Sequence, residues 1–155
     1  MILRKPLQKE FSVYKKLELE FYLHHKPYKT LLQDIDPLKR NLKKEFLEIL
    51  KDKNSFFRFA EQDSKVVGYV YGVIQNIEDN EKGWKKIGDL NSILVLKEYR
   101  TFGIGKSMAE EFFKWLKKHR VSYVKASCNV KNKAVHEFNK KLGFKEQFIT
   151  FGKIL

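Results

Sequence analysis

The chain has one cysteine, Cys128, in 155 residues. That excludes an internal disulfide and any cysteine-based zinc cluster. Three prolines and eight glycines are too few for a Pro- or Gly-rich linker. With no repeat or low-complexity tract either, residues 1–155 read as a single domain. Long hydrophobic runs are also missing. The longest uninterrupted one is ILVL, Ile93–Leu96, far short of the ~20 apolar residues of a membrane span. The opening MILRKPLQKE lacks the apolar core of a secretory signal, so the cytoplasm is the expected compartment.

Arginine is scarce in a basic chain. Lys and Arg total 32 against 19 acidic residues, a net charge of +13, and a domain this basic attracts polyanions. Yet the arginines are only Arg4, Arg40, Arg58, Arg100 and Arg120, whereas readers of bases and phosphates favour the bidentate guanidinium fork. The lysines are spread along the whole chain. This pattern argues against a specific nucleic-acid function, which stays open as a rival reading.

Apolar residues make up 43% of the sequence and aromatics 14%, enough for a proper core. MILRK reads as a short strand stopped by Pro6. Leu7, Phe11, Tyr14, Leu17 and Phe21 recur at helical steps as far as about His25. Asp36 and Pro37 form a helix start, as a cap and a first-turn proline, followed by the stripe Leu38, Leu42, Phe46, Ile49 and Leu50. FFRFAE and KVVGYVYGVI read as a hairpin about QDSK. The loop NIEDNEKGWKK leads to the strand IGDLNSILVL. Ile104, Met108, Phe112 and Leu116 mark the next helix, VSYVKASC a strand, and NKAVHEFNKKL a helix stopped by Gly143. An extended tail, FKEQFITFGKIL, ends the order β-α-α-β-β-β-α-β-α-β.

The stretch YRTFGIGKS, Tyr99–Ser107, looks built to hold phosphate. As a Walker A loop it fails: GKS fits, but Arg100 stands where the first glycine must wrap the phosphates. As G-x-G-x-x-G it also fails, because Met108 takes the third glycine's place. R-x-x-G-x-G fits through Arg100, Gly103 and Gly105. Backbone N–H groups at the following helix start converge on a pyrophosphate there, while Arg100 and Lys106 add charge.

In context, NSILVLKEYRTFGIGKSMAEEFF and NVKNKAVHEFNKKLGF resemble the coenzyme-binding and C-terminal segments of the GCN5-related N-acetyltransferases (GNAT). The resemblance covers essentially the whole chain. It implies an α/β (α+β) fold, a mixed and mostly antiparallel sheet flanked by helices. It also implies an acetyl-coenzyme A-dependent N-acyltransferase in which a primary amine of a small molecule, peptide or protein attacks the thioester directly in a ternary complex. The strand carrying the acetyl group and the strand after the glycine helix would splay into a slot. Main-chain groups of Ile93, Leu94 and Val95 would hold the pantetheine arm, and residues Arg100, Thr101, Phe102, Gly103, Ile104, Gly105, Lys106 and Ser107 the pyrophosphate. Asn132 matches a position whose side chain touches the coenzyme arm, and it also reads as a plain helix cap. No metal is implied.

Asp89 lies where the histone-acetyltransferase branch carries its general base. Strict alternation would put Asp89, Asn91 and Ile93 on one face of the strand. The family's usual proton donor, a tyrosine, is replaced by Asn139, and the base of the ribosomal-protein branch by Ser127. Cys128, Tyr123 and His136 are the substitutes in reach, each with an ordinary structural reading. Asn139 and Ser127 keep open a catalytically weakened coenzyme-binding module.

His24 and His25 end the first helix, in a region that borders the family's acceptor site. The acidic loop Glu78–Glu81 reads as a solvated loop or as an attractor at the acceptor entrance. The acceptor itself is not named by the sequence. The tail is short for a hairpin and forms one long strand or two short ones. The edge it leaves is expected to be covered by a second subunit, as a homodimer.

Overall fold

The helical steps after Leu7 form α1 (Phe11–His25), entered through a 3-10 turn at Gln8–Glu10. In this computed structural model residues 1–30 and 36–155 are described. Asp36 does cap a turn, accepting from Leu38 N at 2.9 Å, but that turn is a 3-10 turn over Pro37–Lys39. The second helix, α2 (Leu42–Lys51), starts later under a different cap, Asn41, whose Oδ1 accepts from Lys44 N at 3.1 Å. Leu38 therefore stays outside the buried stripe and is 77% exposed, while Leu42, Phe46 and Leu50 are buried. A cap-plus-proline signal fits either helix type, because both begin with unpaired N–H groups.

β2 (Ser55–Gln62) and β3 (Lys65–Asn76) are joined at Asp63 and Ser64, with φ of 50° and 61°. Two left-handed residues make the tight hairpin connection whose twist matches the strands. β1 (Ile2–Arg4) pairs outside β2, and β4 (Lys86–Val95) pairs antiparallel to β3. After α3 (Ile104–Lys118), β5 (Val124–Ala126) joins β4 in parallel. The sheet order is β1-β2-β3-β4-β5. α4 (Lys133–Lys141) then ends at Gly143, φ 89°, with Phe144 N returning to Asn139 O. The expected order holds through α4. The last expected strand does not form: residues 144–155 carry no strand, and Phe148 and Phe151 are exposed.

The sheet has a core on each face. Val67, Val70, Leu90, Met108, Phe112 and Leu116 pack on the α3 side. A Cβ on Gly72 would sit 2.5 Å from the Phe112 ring, and one on Gly88 2.5 Å from Leu116. Bare backbone at these two points lets α3 lie close to the strands. On the opposite face α1 and α2 contribute Tyr14, Leu17, Phe46 and Leu50 against Phe57, Phe59 and Tyr69. Tyr14 stacks on Phe46 at 5.0 Å and meets Phe57 edge-on at 5.6 Å. Each such buried ring contributes roughly 1.5–3 kcal/mol by leaving water.

Candidate active site

β4 and β5 pair only from Gly88–Val124 to Leu90–Ala126. Beyond Leu90 the strands part, so the β5-facing backbone edge from Asn91 to Val95 has no ladder partner among the described residues. On its other edge β4 stays paired, with Ile93, Leu94 and Val95 opposite Val70, Tyr69 and Gly68. The result is a slot with one rigid wall of free N–H and C=O groups. Such a wall can hold an extended, amide-bearing chain as an added strand.

Register slips at the mouth of the slot. Tyr71 faces Ser92 while Gly72 faces Leu90, which leaves Asn91 as the extra residue of a β-bulge. A bulge reverses the alternation. Gly88 and Leu90 point at α3, and so does Ile93. Asp89 therefore points the other way, and the expected shared face of Asp89, Asn91 and Ile93 does not exist. On its own face the Asp89 carboxylate accepts from Gln75 Nε2 at 3.1 Å and pairs with Lys125 Nζ at 3.3 Å. It lies where β4 and β5 are still paired.

At the slot's end a turn over Lys97–Tyr99 delivers the glycine loop. Arg100 folds back, donating from Nε to the Val95 carbonyl at 2.9 Å, which ties the loop to the last residue of β4. Thr101 is left-handed, at φ 73°, a conformation that costs a non-glycine residue about 1 kcal/mol or more. Gly103 follows at φ 77° as the N-cap of α3 and offers no side-chain cap. The first-turn N–H groups of a 15-residue helix are thus left to an external acceptor, with the dipole's positive end behind them. Phe102 is exposed and Ile104 is core, so these two can offer a ligand only backbone and a surface ring. Lys106 is exposed and reaches Glu110 at 3.8 Å.

The other wall of the slot is the β5–α4 connection. Asn132 is buried and caps α4, its Oδ1 accepting from Val135 N at 3.3 Å. Asn139 lies one helical turn from the C-terminus of α4, with Nδ2 4.0 Å from Cys128 Sγ. Cys128 is exposed, and the partial desolvation of its thiol, and then the charge of Glu146, push the thiol up. His136 contacts Glu146 through Nδ1 at 3.2 Å. Tyr123 stands apart from these. It precedes β5 at the paired end of the sheet, stacked on Trp84 at 5.2 Å. Asn129 Nδ2 donates to the Tyr28 carbonyl and so ties the turn after α1 to the same wall.

His24, in the last turn of α1, lies within electrostatic reach of Arg100. Burial, and then the nearby positive charge of Arg100, hold its imidazole below the usual range. His25 stays on its own helix, stacked on Phe21 at 4.1 Å with Nδ1 against the Phe21 carbonyl. The acidic loop Glu78–Glu81 precedes β4 at the Lys86 end. The bulge lies five residues further on, roughly 17 Å along the strand, so this loop is not at the mouth of the slot. Its Asn80 is occupied in closing the turn to Trp84.

The acidic group that does adjoin the bulge was not legible as a site. Asn91 and Ser92 border a cavity of about 450 Å³ between α1, α2 and the sheet, lined by Glu18, Glu45, Glu48 and Asp52. Glu18 is only 7% exposed. It accepts from Tyr69 Oη at 2.6 Å and pairs with Arg40 at 3.3 Å, and Arg40 also grips Glu45. Burial and the Glu18 charge push the Tyr69 hydroxyl well above its usual range, so it remains a donor. One signal was available: Glu45, Glu48 and Asp52 fall at i, i+3 and i+7 along one side of α2 and its end.

A sequence profile described as "Acetyltransferase (GNAT) family" matches residues 13–144. The N-alpha-acetyltransferase of Sulfurisphaera tokodaii is 36% identical over 106 residues, covering 65% of this chain and 63% of that protein. An uncharacterised N-acetyltransferase of Methanocaldococcus jannaschii is 30% identical over 102 residues, covering 66% and 44%. The chain thus spans less than two thirds of the length of these curated relatives. Among solved structures, the tetramutant of BH1408 from Bacillus halodurans superposes with a TM-score of 0.85 at 18% identity, over 100% of both chains. Profile and fold agree with the slot and the glycine loop: the chain belongs to the GNAT acetyltransferase family.

Proposed function

We propose that this chain transfers an acetyl group from acetyl-coenzyme A to a primary amine by direct attack, with both substrates bound. One observation carries the reading. The unpaired β4 edge, Asn91–Val95, opens beside the uncapped N-terminus of α3. An extended pantetheine arm and its pyrophosphate need those two features side by side. Ile93, Leu94 and Val95 bond the arm through backbone, and a backbone N–H near Leu94 faces the thioester oxygen as charge develops on it. Arg100 to Ser107 hold the pyrophosphate, and Asn132 orders the helix start beside the arm.

The amine enters from the α1–α2 face. Asp89, paired with Lys125, accepts the amine proton through water. Glu18, Glu45, Glu48 and Asp52 draw in a cationic acceptor. Asn139 cannot donate a proton to the departing thiolate, which takes one from water. The enzyme works in the cytoplasm as a homodimer.

Two observations favour a second reading, a coenzyme-binding module with weakened catalysis: Asp89 is tied to Lys125, and Asn139 to Cys128. Calorimetry with acetyl-coenzyme A on the native chain and on Gly105→Trp, with circular dichroism to confirm folding, tests the shared premise. Micromolar binding that the substitution abolishes supports coenzyme use, and a thiol-release assay on a panel of amines then separates enzyme from module. A folded native chain that binds no acetyl-coenzyme A would sink both readings.

A further inference from the structure

The outer edge of β5 has no strand beside it among the described residues, since β4 is its one ladder neighbour. Beside that edge runs a groove of about 2000 Å³, with Val124–Asn129 on one wall and the tail segment Phe148–Ile154 on the other. Its floor is apolar. Phe113, Val124, Ala126 and Phe144 pack on the α3 core and stay partly exposed to the groove. The tail is held as the opposite wall, because Phe144 packs on Phe113 at 5.9 Å and Gln147 accepts from Tyr123 Oη at 2.9 Å. Beyond Gln147 it presents Phe148 and Phe151, 86% and 91% exposed.

The rim is cationic. Lys125 is engaged with Asp89, and Lys140 with Glu137 and Glu146. Lys117, Lys131, Lys133, Lys145 and Lys153 are exposed on the groove and have no ion-pair partner among the described residues. Glu146 is the only carboxylate lining the groove among those residues. In so basic a chain, lysines alone would name no ligand. Here they coincide with an unpaired strand edge and an apolar floor, and the three together select an occupant.

We propose that the groove docks an extended acidic segment of a partner protein, in which acidic and apolar residues alternate. The segment's backbone pairs with the free edge of β5 as an added strand. Successive side chains of a strand point to opposite sides. One set therefore packs on the floor between β5 and the tail, and the other reaches the lysines of the rim. A second copy of this chain fits the groove less well. Its tail would bring Lys145 and Lys153, against a single Glu146, to a rim that is already positive. Single-stranded nucleic acid would match the charge and could stack on the exposed rings. It would leave the strand edge unpaired, and among the described residues no arginine lines the groove to grip phosphate bidentately.

The inference is independent of acetyl transfer. The probe is a fluorescein-labelled peptide of alternating glutamate and valine, about ten residues long to make one strand. Fluorescence anisotropy with the full chain is expected to show micromolar binding that weakens as salt is added. A peptide with glutamine for glutamate, and a polyglutamate without the apolar face, are each expected to bind about tenfold more weakly. Lys131→Glu/Lys145→Glu is expected to weaken binding of the alternating peptide about tenfold, with circular dichroism unchanged. Lys43→Glu/Lys44→Glu on α2, an equal change in net charge, is expected to leave that binding as it is. A folded native chain that does not bind the peptide would overturn the proposal, as would binding indifferent to the Lys131/Lys145 reversal. Oligouridylate binding tighter than the peptide would overturn it in favour of nucleic acid. A native dimer that Phe148→Asp/Phe151→Asp turns into a monomer in sedimentation equilibrium would put a second copy in the groove and overturn it likewise.

Discussion

Two cavities of this molecule carry opposite charge. The smaller one, between α1, α2 and the bulge of β4, has Glu18, Glu45, Glu48 and Asp52 around one cation among the described residues, Arg40. The larger one, between β5, α4 and the tail, has Lys117, Lys131, Lys133, Lys145 and Lys153 among its lysines, and Glu146 as its single carboxylate among the described residues. In a chain of net charge +13 the basic groove is what composition alone would give. The acidic pocket runs against the average and costs desolvation at Glu18. Overall charge therefore says little about the ligand of a particular pocket.

The largest expected effect breaks the acidic side at its floor. Glu18→Ala removes the acceptor of the buried Tyr69 hydroxyl and a partner of Arg40. A buried donor left unpaired costs about 1–3 kcal/mol, and the half-exposed Arg40 adds little because water screens it. Thermal melting should fall by roughly 5–10 °C for a chain of this size. Glu18→Gln, which keeps an acceptor for Tyr69, should recover more than half of that loss. If Glu18→Ala melted like the native chain, the carboxylate would not be what holds α1 to β3.

Next in size is Lys106→Glu at the start of α3. A glutamate in the first turn suits the helix dipole, so melting should not change. It lies at the proposed pyrophosphate site, however, and the loss of one charge-assisted contact there corresponds to about 10- to 100-fold in affinity. Weakened acetyl-coenzyme A binding in calorimetry at unchanged stability is the expected result. Equal binding would move the phosphate away from the α3 terminus.

Glu48→Lys tests the contrast between the cavities with a smaller effect. Glu48 lies on the rim of the acidic pocket, more than half exposed and near Lys44, so reversal leaves the fold intact. KM for a cationic amine should rise about fivefold at low salt and converge with the native value at high salt. Lys145→Glu, on the basic side, should leave that KM unchanged. Equal effects from both would mean that net charge, and not the pocket, recruits the acceptor.

These contrasts also mark where sequence stopped being informative. α3 and α4 were legible because four-residue apolar spacing, Gly103 and Gly143 act locally. The glycine loop was legible as a turn into a helix, because Gly103 takes the positive φ that the α3 N-cap needs. The bulge at Asn91 was not, since it depends on register between β3 and β4, and it alone reverses the face of Asp89 relative to Ile93. Nor was the acidic pocket, whose members come from α1, α2 and the chain entering β2. The tail's composition is strand-like, but a strand also needs a neighbour, and the sequence does not say where one lies.

The smallest effect concerns the thiol on the basic side. Beside so many lysines a thiolate would ordinarily be favoured, yet burial and Glu146 act on Cys128 in the opposite direction. Removing the carboxylate with Glu146→Gln takes away a negative charge that disfavours the thiolate, so the thiol's pKa should fall. Burial, the larger cause, remains, so the fall is partial. Alkylation by iodoacetamide follows the thiolate fraction. Its rate–pH profile should therefore shift to lower pH, with a roughly twofold faster rate near pH 8 by the same dependence. An unchanged profile would mean that the Glu146 charge does not reach Cys128, and that burial alone holds the thiol up.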